Sequence, residues 1–104
     1  MTPPISIKLP PDCWRFLEET RSSPPAEALP PDVDAVLDEP PRLVIGGAIP
    51  ALRVVLTMTR KQAEALESWL HEIHDSLKHD DERRLLCLMC ISRVTVAIML
   101  SEHS

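Results

Sequence analysis

The spacing of apolar residues changes from segment to segment along this chain, and each spacing predicts an element. From Leu52 to Met58, the residues Leu52, Val54, Leu56 and Met58 fall on one side of an extended segment and Arg53, Val55 and Thr57 on the other. That period of two belongs to a half-buried strand. Ile5 to Leu9 alternates in the same way. Arg42 to Ile45, followed by Gly46-Gly47, reads as another short strand ending in a turn.

Beyond Met58 the period lengthens. Thr59 with Gln62 three residues later is a capping-box pattern, in which each side chain satisfies an otherwise orphaned backbone donor at a helix start. Ala63, Leu66, Leu70, Ile73 and Leu77 then recur at steps of three and four, with Trp69 beside them, while Glu64, Glu67, Glu72 and Asp75 take other faces. This is a helix with one core-facing stripe. The acidic run Asp80, Asp81 and Glu82 supplies a cap and favourable charge for a second helix, so the pair is expected to form an antiparallel hairpin.

The second helix has a different pattern. In Leu85 to Leu100 apolar residues cover nearly the whole circumference, interrupted only by Ser92, Arg93 and Thr95. A helix apolar all round needs cover on several sides. One partner helix covers one side and a sheet a second, which leaves the remainder to the N-terminal half or to another copy of the chain. A homodimer is therefore expected, with Leu88, Ile91, Val94 and Ile98 as interface residues and another protein as a further class of partner. Arg93 is expected opposite Ser68, within reach of Glu64, Glu67 or His71. As a membrane span the segment is short: 16 residues make about 24 Å of helix against roughly 30 Å of hydrocarbon. No membrane partner is expected.

All eleven prolines lie in the first fifty residues, ten of them as five Pro-Pro pairs. Long regular elements are excluded between the pairs, because each proline fixes φ, lacks an amide donor and pushes its predecessor towards extended geometry. No two prolines have the P-x-x-P spacing that aromatic grooves read. One internal similarity stands out here. Residues 9–19, LPPDCWRFLEE, and 29–39, LPPDVDAVLDE, agree at six of eleven positions, and in each copy the aspartate, Asp12 or Asp32, is placed to cap a short helix. Residues 1–50 thus read as a proline-rich segment with short helices wrapped over a strand-helix-helix core at 51–104. The expected fold is a single α+β domain with a sheet of two or three short strands.

Composition narrows the function. Net charge is -5 with no basic run, which argues against a nucleic-acid partner. The first nine residues lack the basic and apolar regions of a secretory signal. Three cysteines without framework spacing fit a reducing compartment, so a cytoplasmic location is expected. No nucleophile-base motif, phosphate-cradling glycine loop or paired carboxylate is present, and enzymatic activity is not expected.

Two alternatives rest on particular residues. His71-x-x-His74 on the first long helix would lie level with Cys87-x-x-Cys90 on the second in a symmetric hairpin, and two imidazoles with two thiolates make a suitable tetrahedral zinc set. The competing expectation, which needs no cofactor, is that both cysteines are small buried hydrophobes and both histidines lie at the surface. Separately, Ile5-Ser6-Ile7-Lys8-Leu9-Pro10-Pro11 followed by Trp14, Phe16 and Leu17 resembles the opening of a ribbon-helix-helix DNA-binding protein. The resemblance covers about fifteen residues. It implies paired strands inserted into the major groove, with Ser6 and Lys8 towards DNA. Where the second helix of that fold should follow, Ser22 to Pro31 is proline-rich.

Overall fold

A computed structural model describes residues 4–22, 29–39, 42–46 and 51–102 of the chain. The elements are β1 (Ile5–Leu9), α1 (Pro11–Ser22), α2 (Pro31–Asp38), β2 (Arg42–Gly46), β3 (Ala51–Met58), α3 (Arg60–Ser76) and α4 (Arg83–Glu102). The architecture is α+β, with a three-stranded antiparallel sheet in the order β1-β3-β2. Gly47 of the expected turn lies outside the described residues.

Register explains the division into layers. Ile5, Ile7 and Leu9 of β1 stand opposite Met58, Leu56 and Val54 of β3, so both strands bury the same parity of residue. Ser6, Lys8 and Thr57 are exposed on the other face. The helices pack over the apolar face: α4 and α1 on β1, α2 and α1 on β3, and α3 alongside α4. Between the layers lie Phe16, Leu17, Val33, Leu37, Leu66, Trp69, Leu70 and Val94. With so few aromatics the core is mostly aliphatic, and each large side chain so buried contributes roughly 1.5–3 kcal/mol.

The two LPPD copies become α1 and α2, and their starts share one plan. The second proline of each pair, Pro11 or Pro31, takes the first helical position, where its missing N–H costs nothing. The carbonyls of Pro10 and Pro30 accept from Cys13 N and Val33 N, each at 3.0 Å. Asp12 and Asp32 therefore sit inside the first turn and are not the N-cap residues expected from the sequence. There they favour the helix through the dipole. Asp32 Oδ1 also accepts from Val33 N at 3.0 Å. Equivalent positions are buried in both copies, Cys13 and Leu17 in one, Val33 and Leu37 in the other. Arg21 of α1 donates to Asp34 of α2 at 2.9 Å and ties the two helices together.

The hairpin closes as its capping residues dictate. Thr59 Oγ1 accepts from Gln62 N at 3.1 Å and Gln62 Oε1 accepts from Thr59 N at 2.8 Å, the complete capping box. At the turn Arg84 donates to Leu77 O at 2.8 Å, and Asp81 Oδ1 accepts from Arg83 N at 2.9 Å. The Arg83 guanidinium holds the Asp81 carboxyl down to about 2. Replacing Thr59→Ala removes one half of the box. Urea unfolding should report a loss of about 1 kcal/mol, with a range of roughly 0.5–2 kcal/mol, and an unchanged midpoint would show that the box contributes nothing.

Candidate interaction surface and thiol cluster

α4 divides its circumference in two. Cys87, Cys90, Ile91, Val94, Ala97 and Ile98 are buried against α1, α3 and β1. Leu85, Leu88, Met89, Val96, Met99 and Leu100 are exposed, from 43% at Met89 to 71% at Leu85. At 100° per residue these six, with Ser92, span an arc of about 120°, as wide as the apolar stripe that normally faces a core. Leu85, Met89, Ser92, Val96 and Met99 follow one another at steps of four and three, the spacing of a helix-helix seam. Arg93 stands at the edge of this arc.

This free face is not the one read from the sequence. Of Leu88, Ile91, Val94 and Ile98, only Leu88 is exposed; Ile91, Val94 and Ile98 are held in the chain's own core. Interface residues must be reachable by a partner, so the available seam lies on the opposite side of the helix. The signal that finds it is the heptad-like run through Ser92, which becomes informative once the buried side is known. Arg93 departs from its expected pairing as well. It is exposed and has no ion-pair partner among the described residues. Glu67, one of its expected partners, accepts a hydrogen bond from Thr95 Oγ1 instead.

A second, smaller apolar strip lies on the sheet. Leu43 and Ile45 of β2 stand opposite Val54 and Leu52 of β3, on the helix-covered parity. Yet Leu43, Ile45 and Leu52 are exposed. The helices roof β1 and β3, and β2 projects past them.

The packing gives the four metal candidates different surroundings. His71 is exposed on α3, whereas His74 is half-buried, its Nε2 without a hydrogen-bond partner among the described residues. Cys87 and Cys90 are both buried, but they face different neighbours: the Cys87 thiol donates to Leu70 O of α3 at 3.3 Å, and the Cys90 thiol to Cys13 O of α1 at 3.7 Å. No group of three or more histidine, cysteine or carboxylate side chains suited to a metal ion occurs among the described residues. As for the strand likened to a DNA-binding ribbon, β1 pairs with β3 of its own chain, with Ser6 and Lys8 on the exposed face.

The thiols differ in acidity according to their surroundings. Cys87 is pushed up to about 11 by burial, which penalises the thiolate. The nearness of Cys13 and Cys90 pulls the two apart in acidity: the neighbouring Cys90 thiol lowers Cys13, aided by the charge of Arg93, and Cys90, next to Cys13 and buried, is raised. α4 is 20 residues long and, by length and composition, apolar enough to cross a membrane, and 33% of its apolar stretch is buried inside this fold.

No protein-family model matches the chain, and no curated protein or solved structure matches it.

Cys87 gives stability a dependence on alkaline pH. The folded chain keeps this thiol's proton to about pH 11, whereas a solvated thiol releases it near its ordinary value of 9.0. The folded state thus binds more protons within that window, so this contribution is whole below about pH 9 and is lost as pH rises towards 11. Urea midpoints measured across the window should fall less steeply for Cys87→Ala than for the unsubstituted protein. Parallel profiles would show that Cys87 ionises alike in both states.

Proposed function

We propose that this chain is a non-enzymatic protein that acts by self-association, and that the exposed seam of α4 is its contact surface. The observation that carries this reading is the run of exposed apolar residues Leu85, Met89, Val96 and Met99, spaced at fours and threes about the small Ser92. Widened by Leu88 and Leu100, the seam offers several hundred Å2 of apolar surface, approaching the roughly 800 Å2 that each partner contributes to a standard specific interface. Patches of that size on small soluble domains mark association sites.

The seam also suits a second copy of itself. It carries no charge within its width, so apposing two copies buries no unpaired ion. Arg93, at its margin, can keep its guanidinium in water while its stem covers apolar surface. Ser92 at mid-seam lets two helix backbones approach closely.

Light scattering on the full chain at micromolar concentration tests the proposal. The expected result is a mass twice that of one chain, shifting to the single-chain mass in the double substitution Met89→Glu and Val96→Glu. Both residues are half-exposed, so the circular dichroism spectrum should be preserved. A single-chain mass for the unsubstituted protein would overturn the reading, as would a dimer that the substitutions leave intact. Binding of the monomer to lipid vesicles would assign the same face to a membrane surface instead.

A further inference from the structure

The three cysteines are placed unequally, and two of them are brought together from opposite ends of the chain. Cys13 lies in the first turn of α1 and Cys90 in the middle of α4, separated by 77 positions in sequence. The Cys90 thiol donates to the Cys13 carbonyl oxygen at 3.7 Å, which places the two cysteines side by side between α1 and α4. Both side chains are fully buried. Cys87, one turn away on α4, turns towards α3 and donates to Leu70 O, so it takes no part in the pair. The Cys-x-x-Cys spacing visible in the sequence is thus not the pair that the fold assembles.

We propose that Cys13 and Cys90 are a redox-modified site, in which a small peroxide oxidant joins them as an intramolecular disulfide that fastens α1 to α4. Cys13 is the attacking sulfur. It stands at a helix N-terminus, where aligned backbone amides favour a thiolate. Its sulfur attacks one oxygen of hydrogen peroxide, the O–O bond breaks, and the departing hydroxide takes up a proton as water. The resulting sulfenic acid at Cys13 is then attacked by the Cys90 sulfur; the S–O bond breaks, the S–S bond forms, and a second water leaves with the Cys90 proton. Two thiols and one peroxide give one disulfide and two waters. Because neither sulfur is exposed, the oxidant gains entry through local opening of α1. A thiol reductant reverses the step by exchange.

The cross-link would close a loop spanning most of the chain, which restricts the unfolded state. The inference is independent of the self-association proposed above, since it concerns the buried side of α4. The test is intact mass and peptide mapping of the native full chain after treatment with hydrogen peroxide. The expected result is a loss of about 2 Da with one alkylatable thiol remaining, assigned to Cys87, and a cross-linked peptide pair containing Cys13 and Cys90. The oxidised form should have a higher urea midpoint, returning on addition of dithiothreitol. Cys87→Ala should still lose about 2 Da, whereas Cys13→Ala should not. Three alkylatable thiols after oxidation, a cross-link that includes Cys87, or oxygen addition at Cys13 without cross-linking would each overturn the proposal; the mapping on unsubstituted protein decides it even if a variant fails to fold.

Discussion

The structure depends on the burial of one side of α4. Val94 and Cys90 have no exposed surface, and Ala97 and Ile98 very little. Against them pack α3, which precedes α4 in the hairpin, and β1 and α1, which come from the opposite end of the chain. This side of the helix therefore joins termini that local sequence could never bring together. Ile5, Ile7 and Leu9 would otherwise present an uncovered apolar face, because β1 is an edge strand and neighbours only β3. The hydrophobic effect rewards contact area without directing it. Its direction here comes from the sheet register, which sets every apolar residue of β1 and most of those of β3 on one side.

The same constraint produces the surplus. A sheet of three strands offers one apolar face, and α1, α2 and α4 roof only the part of it formed by β1 and β3. Leu43, Ile45 and Leu52 extend past the roof. On α4 the inner side is filled, and the apolar outer side is left exposed by the described residues. Small domains bury a smaller fraction of their surface than large ones. The self-association proposed above would cover the full-width apolar seam on the chain's longest helix.

The buried thiols illustrate a different consequence of packing. Chemically identical side chains on one helix acquire different roles from what lies opposite. Cys87 meets a backbone carbonyl of α3 and a desolvated surround that favours its protonated form. Cys90, three residues on, meets the first turn of α1 and another thiol. Among the described residues neither thiol belongs to a group of three or more side chains suited to a metal ion.

Local information in the sequence determined the three strands, the starts of α3 and α4 and the hairpin between them. Each of these is governed by residues a few positions apart: alternation in Leu52 to Met58, the Thr59–Gln62 box, the acidic turn at Asp80 to Glu82. The paired prolines at 10–11 and 30–31 likewise locate two short helices, although the aspartates proved to be first-turn residues and the prolines the helix starts. For α4 periodicity was silent. When a helix is apolar all round, no stripe distinguishes the buried side, and only the positions of α1, α3 and β1 decide that Val94 and Ile98 face inward while Met89 and Val96 face out. The meeting of Cys13 with Cys90 was likewise beyond the sequence, because it depends on how the first and last helices dock across a sheet and not on any spacing along the chain.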